Sequence, residues 1–269
     1  MGYLRVVIRM KTITLTINPE PYRLSYLQST VASLNANNTA GYRLLINMEP
    51  AGNFSAQSAQ RSMVEIIESI EMPYELKIND EKLGLDKNLF NCIFWAFEGG
   101  SEFNVHIEDD VTLSPNALDL ANWYYETFKD KSEDYFSYGL HSFDGKGANE
   151  CEIIPIEYFM GWGWCVFKCN WEIDFGPYWF DYDLAAEVLG DTIKMGDIDI
   201  KMRHSWDGCI LAHCKKNNLK QLVPSISRSR HDGMFGKHTD PSLFPADFVG
   251  KNISRKSLNE LPSNYFLSE

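Results

Sequence analysis

Several familiar features are missing from this 269-residue sequence, and each absence closes off a class of function. Basic charge is scarce: 25 lysines and arginines stand against 37 aspartates and glutamates, a net charge of −12. So acidic a chain has no general attraction for duplex DNA or for an anionic membrane. The six cysteines, at 92, 151, 165, 169, 209 and 214, contain no C-x-x-C pair and no zinc-ligand spacing. Cys209 and Cys214 fall in a helical pattern beside Ile210 and Leu211, a setting for buried free thiols. No run of eighteen consecutive apolar residues occurs, which argues against a transmembrane helix. The segment Met1 to Met10 has neither an unbroken apolar core nor a small-residue cleavage site, and so does not read as a signal peptide. These absences lead to the expectation of a cytoplasmic protein with reduced thiols, in which the sequon-like Asn37–Thr39 and Asn252–Ser254 carry no meaning. There are no internal repeats and no low-complexity tract.

What is present suits one large α/β domain. Hydrophobic residues make up 44% and aromatic residues 13% of the chain, enough to fill a substantial core. Residues 12–17 alternate threonine with isoleucine or leucine and stop at Asn18-Pro-Glu-Pro21, a strand and a hard turn. Tyr3 to Ile8 is also β-rich. Leu24, Leu27, Val31 and Leu34 have helical spacing, and Tyr42 to Met48 reads as a second strand. A helix over Ser55–Ile70, a short strand over Pro73–Asn79 and a helix through Leu85, Leu89, Ile93 and Phe97 follow. The next strand is Phe103 to Ile107. Alternation of this kind predicts parallel βαβ units. The first 112 residues are then a nucleotide-binding half, 113–240 an acceptor and catalytic half, and 241–269 a tail. In the second half Tyr135–Leu140 and Leu219–Val223 read as strands, and Ser205–Asn217 as a helix capped by Ser205.

The strand from Phe103 delivers three consecutive carboxylates, Glu108, Asp109 and Asp110, before Val111, Leu113 and a Ser114-Pro115 helix start. Such charges repel one another and are costly to desolvate unless a divalent cation and hydrogen bonds offset the cost. Ligands of open α/β sheets bind at the carboxyl ends of strands. A solvated acidic turn is the bland reading; the position between an apolar strand and a helix start favours the functional one. A hard cation of the Mn²⁺ or Mg²⁺ kind needs only one or two carboxylates when a substrate diphosphate supplies further oxygens. His106, inside the strand, reads as facing the adjoining layer.

Asp207 lies in the first turn of its helix, where the helix N-terminus favours the ionised form, and could act as a general base. Asp197 and Asp199 are rivals, and an ordinary first-turn aspartate is the bland reading. Arg228, Arg230, Lys237 and His238 gather cationic side chains in the polar segment Ser225–His238, with Gly233 and Gly236 as hinges. This segment reads either as a lid over a diphosphate or as a basic surface loop. Trp162 and Trp164, set among glycines, read as packing residues or as stacking faces for a sugar.

The pieces Glu108-Asp-Asp110 with Val111, Leu113, Ser114 and Pro115; Gly161-Trp-Gly-Trp164; Trp206-Asp207; and Pro224-Ser-Ile-Ser-Arg228 with Gly233, Gly236 and His238 occur in a familiar order. That order resembles the metal-dependent GT-A glycosyltransferases, and most of all the N-acetylglucosaminyltransferase I group, over about residues 11–240. The resemblance implies a Rossmann-like mixed sheet flanked by helices and an acidic motif of the DXD type, with Asp110 ligating Mn²⁺ (or Mg²⁺). It implies that Glu108 and Asp109 support the metal and donor, and that Asp207 deprotonates the acceptor hydroxyl. The 225–238 segment, Arg228 and His238 included, would order over a nucleotide sugar. Glu49 matches a residue that reads uracil, Arg23 and Asn88 match nucleotide contacts, and Trp162 and Trp164 would face the sugar. The membrane anchor and stem of that group's secretory-pathway members are absent from this sequence, and residues 130–200 match the group poorly.

The expectation is thus an inverting glycosyltransferase that moves a sugar from a UDP-linked donor, with UDP-GlcNAc a candidate, to a carbohydrate or glycoconjugate hydroxyl. One rival is a non-catalytic carbohydrate-binding module on the same scaffold. Another, a sugar-nucleotide pyrophosphorylase, would need a glycine-rich loop where Asn18-Pro-Glu-Pro21 has no glycine.

Overall fold

A computed structural model describes residues 10–142, 149–190, 193–195, 198–200, 205–233 and 265–268. Three βα steps and a fourth strand open the described residues: β1 (Met10–Ile17), α1 (Leu24–Asn35), β2 (Tyr42–Met48), α2 (Phe54–Ile67), β3 (Tyr74–Ile78), α3 (Leu85–Glu98) and β4 (Ser101–Glu108). Then come β5 (Val111–Leu113), α4 (Ala117–Phe128), β6 (Ser137–Gly139), β7 (Glu152–Ile156), β8 (Trp164–Phe167), a short α5 (Lys168–Asn170), α6 (Tyr182–Leu189) and a hairpin of β9 (Ile193–Met195) with β10 (Ile198–Ile200). The last elements are α7 (Trp206–Asn217), β11 (Gln221–Pro224), β12 (Ser229–His231) and β13 (Phe266–Leu267).

Nine strands form one mixed sheet in the order β13-β7-β11-β6-β8-β4-β1-β2-β3. Strands β1 to β4 are mutually parallel where they pair, whereas β8 runs antiparallel to both β4 and β6. The sheet therefore crosses the expected boundary near residue 112 without a break. Register brings the four parallel strands to one edge, with Ile17 opposite Met48, Met48 opposite Ile78, and Thr16 opposite Glu108. The residues that follow are bonded across that edge: Glu49 N–H to Ile17 O, Asn79 N–H to Met48 O, and Asp109 N–H to Thr16 O. This edge is where a parallel sheet presents ligand-binding groups.

Both faces of β1 are covered, which explains its burial on isoleucine and threonine positions alike. The polar face is bonded in part, around Thr14. Thr14 Oγ1 lies 2.9 Å from His106 Nδ1 and accepts from Asn104 Nδ2 at 2.9 Å. His106 is wholly buried, and burial lowers its pKa to about 3, so it is neutral and faces the adjoining layer as its strand position suggested.

A second, aromatic core lies under α3 and α7. Trp164 stacks on Phe175 with centroids 4.9 Å apart and on Trp206 at 6.0 Å, and Trp179 stacks on Trp206 at 4.5 Å. Trp164→Ala is expected to cost about 3–5 kcal/mol, the range for emptying a large buried aromatic site, read as a lower midpoint in urea denaturation. All six cysteines are free, with Cys209 and Cys214 buried in α7. Among the described residues no helix is long and apolar enough to cross a membrane.

Three segments depart from the sequence reading. The expected loop at 225–238 contains strand β12, which pairs antiparallel with β5. The tail, which shows little pattern, contributes β13 to the edge of the main sheet through β7. The helix expected at Ser114-Pro115 begins at Ala117, because β5 takes up Val111–Leu113 and the Ser114 N–H donates to Arg228 O at 2.8 Å. Tyr3–Ile8 lies outside the described residues.

Candidate functional site

Strand β4 ends on Glu108 at the carboxyl edge, and Asp109 and Asp110 turn the chain into β5. Pairing of β5 with β12 then brings the residues after 228 against the acidic turn. The Asp232 N–H donates to Asp110 O at 2.7 Å, and Thr112 Oγ1 donates to Asp232 Oδ2 at 2.5 Å. His231 Nε2 sits 3.4 Å from Asp110 Oδ2, and Trp162 stacks on the His231 ring at 4.6 Å and 9°. A Cβ at Gly233 would stand 2.3 Å from Asp110 Oδ2 and 2.9 Å from His231 Nε2. Close approach to the carboxylate requires glycine there, a reason different from the hinge proposed on sequence.

The two aspartates have different surroundings. Asp109 Oδ2 accepts from the Asn18 N–H at 2.9 Å, Asp109 Oδ1 faces Arg23 Nη1 at 3.0 Å, and Asp109 O accepts from Thr30 Oγ1 at 3.1 Å. Both carboxylate oxygens are therefore bonded. Asp110 uses only Oδ2, toward His231 and Arg23 Nη2. Its Oδ1 is buried with no hydrogen-bond partner among the described residues. Burial works against the Asp110 charge, yet His231 and Arg23 hold its pKa well below the usual carboxylate range. Asp109 is shifted upward by burial, against the pull of Arg23 and with the help of Asp110. Glu108 is held well above the usual range by burial first and by Asp110 second, and Asp207 adds to the same effect.

That last influence joins the two ends of the site, because Asp207 belongs to the first turn of α7. Ser205 caps this helix, accepting from the Gly208 N–H at 3.3 Å, and Asp207 Oδ1 accepts from the same N–H at 3.0 Å. Asp207 is half-buried and makes no ion pair among the described residues. Burial raises its pKa, opposed by these capping bonds and aided by Asp86. Asp86, in the first turn of α3, accepts from the Tyr182 hydroxyl at 2.9 Å; the sequence reading did not single it out.

The remaining candidates are spread along the edge or away from it. Glu49 follows β2 and is buried, its Oε2 accepting from the Leu83 N–H at 3.1 Å and its Oε1 without a partner among the described residues. Asn88 is also buried; its Oδ1 accepts from Asn47 at 2.7 Å and Asn79 at 2.8 Å, tying α3 to the ends of β2 and β3. Its side chain serves that strut, which leaves little for a nucleotide. Trp162 is half-buried beside His231, whereas Trp164 is fully enclosed in the aromatic core and has no free face for a sugar. Arg228 differs most from expectation. It is fully buried, and its guanidinium donates to Ile226 O at 2.6 Å and Glu150 O at 2.5 Å. Those carbonyls, not a diphosphate, are what it holds in this structure. Arg230 pairs with Asp232. His238, Lys237, Gly236 and Asp197 lie outside the described residues, as does the side chain of Asp199.

Among the described residues no three His, Cys, Asp or Glu side chains gather as a complete metal cage. The donor set nonetheless fits a hard cation in part. Asp110 Oδ1 is a buried carboxylate oxygen without a partner among the described residues, and such cations accept one protein carboxylate when phosphate and water oxygens complete the shell.

No protein-family model matches this sequence, and no curated protein matches it. Solved structures match its fold. TarS 1-349 of S. aureus, in complex with UDP-GlcNAc, superposes with a TM-score of 0.52 at 11% identity, over 84% of this chain and 60% of that one. The mannosyltransferase PcManGT of Pyrobaculum calidifontis, in complex with GDP-Man and Mn²⁺, gives 0.43 at 11% identity over 80% and 57%, too weak a likeness to carry argument. The chain thus spans about 60% of the TarS chain. Identity this low bears on fold alone: the chain shares with TarS a large mixed α/β sheet flanked by helices.

Proposed function

We propose that this protein is a metal-dependent, inverting glycosyltransferase. Its donor would be a nucleotide diphosphate sugar, UDP-linked and with UDP-GlcNAc as first candidate, and its acceptor a carbohydrate or glycoconjugate hydroxyl. The observation that carries the reading is the buried, unpartnered Oδ1 of Asp110 in the acidic turn at the carboxyl edge of the parallel strands.

In this reading the strand ends from β1 to β4 form the donor side. Glu49 Oε1, a buried acceptor, would take the imide N–H of uracil. Asp110 would hold Mn²⁺ or Mg²⁺ with support from Glu108 and Asp109; when bound, the cation neutralises charge on the leaving diphosphate. Asp207 would accept the proton of the acceptor hydroxyl as its oxygen attacks the anomeric carbon from the side opposite the diphosphate. The carbon–oxygen bond to the diphosphate breaks with its electron pair leaving on the phosphate oxygen. Burial favours Asp207 in this role, because a carboxylate with a raised pKa is the stronger base. Trp162, stacked on the His231 ring, would cover the sugar.

The test is a panel of nucleotide sugars incubated with the protein and Mn²⁺ without acceptor. Slow hydrolysis of one donor, lost on chelation and restored by Mn²⁺, is expected. Binding of sugar without any turnover would instead identify a carbohydrate-binding module, and release of a nucleoside triphosphate on adding pyrophosphate would identify a pyrophosphorylase.

A further inference from the structure

Arg23 meets Asp109 and Asp110 across 86 and 87 residues of chain, from a rigid perch. It ends a one-turn 3₁₀ helix, Pro21–Arg23, that follows the Asn18-Pro-Glu-Pro21 stop. Its side chain is only 13% exposed. One nitrogen, Nη1, lies 3.0 Å from Asp109 and the other, Nη2, bonds Asp110, so the fork spans both carboxylates. The Nε is buried and has no partner among the described residues. All of the guanidinium's pairing is thus directed at the acidic turn.

We infer that Arg23 is an intramolecular counter-ion that stands in for the metal and weakens metal binding until a nucleotide diphosphate arrives. The inference rests on the reading that Asp110 takes a divalent cation. The charge argument is direct. Asp110 Oδ2 is enclosed by Arg23, by His231 and by the backbone at Gly233, so the open place on this carboxylate is Oδ1. A dication at Oδ1 and a guanidinium at Oδ2 share one carboxylate and repel each other at short range in a poorly solvated site. The cation therefore enters more readily when the guanidinium has another anion to hold. A diphosphate is such an anion, and arginine's planar fork suits it. Metal and nucleotide then favour each other's binding, through a residue belonging to neither strand β4 nor helix α7.

The test is titration of the full chain with Mn²⁺, followed by the electron paramagnetic resonance signal of free Mn²⁺, with and without UDP. Wild type, Arg23→Gln and Arg23→Lys are compared. In the absence of UDP, Arg23→Gln is expected to bind Mn²⁺ about tenfold more tightly than wild type, because one neighbouring positive charge is gone. The improvement that UDP brings to Mn²⁺ affinity should shrink in the same variant. Mn²⁺ affinity unchanged or reduced in Arg23→Gln would overturn the inference and leave Arg23 a structural tie or a plain nucleotide contact. Should Arg23→Gln fail to fold by circular dichroism, Arg23→Lys is read alone. Lysine keeps the charge that opposes the cation, so its Mn²⁺ affinity without UDP is expected to stay within about threefold of wild type, and a change of about tenfold or more counts against the inference. If wild type takes up no Mn²⁺ even with UDP present, the metal reading itself falls, and this inference with it.

Discussion

Asp110→Ala is expected to reduce sugar transfer by about 10³-fold or more while leaving a folded protein. The geometry says why activity and stability should separate. Asp110 Oδ1 makes no internal bond among the described residues, so its loss removes nothing that the fold uses. Oδ2 does face Arg23 and His231, yet Arg23 keeps Asp109 as a partner, and His231 keeps its stack on Trp162. Asp109 is tied differently: both of its carboxylate oxygens are engaged, by the Asn18 N–H and by Arg23. Asp109→Ala leaves the part-buried Asn18 N–H without its acceptor and should lower thermal stability. Two thermal melts and one transfer assay read both effects. The extra stabilisation that Mn²⁺ gives to the UDP-bound wild type should vanish in Asp110→Ala. Wild-type transfer that survives exhaustive EDTA would refute the assignment of Asp110 to a metal.

Asp207→Asn should lower turnover by about 10²–10⁴ with donor affinity nearly unchanged, because the amide keeps shape and capping but cannot take a proton. Stability adds a second readout. Burial raises the pKa of Asp207, so the ionised form is disfavoured in the folded chain. A carboxylate of raised pKa contributes stability below its unfolded pKa, and that contribution is lost as pH rises through the folded value. At neutral pH the fold therefore carries an unfavourable buried charge, and the neutral asparagine should leave the melting temperature unchanged or raise it. An ordinary first-turn aspartate would behave in reverse: the same substitution would cost up to about 1 kcal/mol and spare activity. Full turnover in Asp207→Asn would pass the role of base to Asp197, Asp199 or another residue.

Much of the first half could be read directly because its determinants are local. The threonine–isoleucine alternation of β1, the Tyr42–Met48 run and the four-residue steps of α3 each carry their own periodicity, and each element lies where that periodicity places it. The acidic turn after β4 is of the same kind, since strand, charges and turn are contiguous. Ser205 as the cap of α7 likewise depends on neighbours three residues apart.

The second half resisted for a physical reason. Its elements are stabilised by partners distant in sequence: β12 pairs with β5 more than a hundred residues earlier, and β13 pairs with β7. Short strands of two or three residues have no period to detect. Charge patterning misled at Arg228, where a cation in a polar segment reads as a surface contact until the carbonyls of Ile226 and Glu150 close over it. Glycine-flanked tryptophans were ambiguous, and packing divided them, burying Trp164 and leaving Trp162 against His231. By itself the sequence determined the parallel βα frame and the acidic edge it presents, because both follow from short-range pattern. Only the tertiary structure decided that Arg23 closes on Asp109 and Asp110 and that Asp110 keeps one buried oxygen without a partner among the described residues, because charges brought together by folding are not neighbours along the chain.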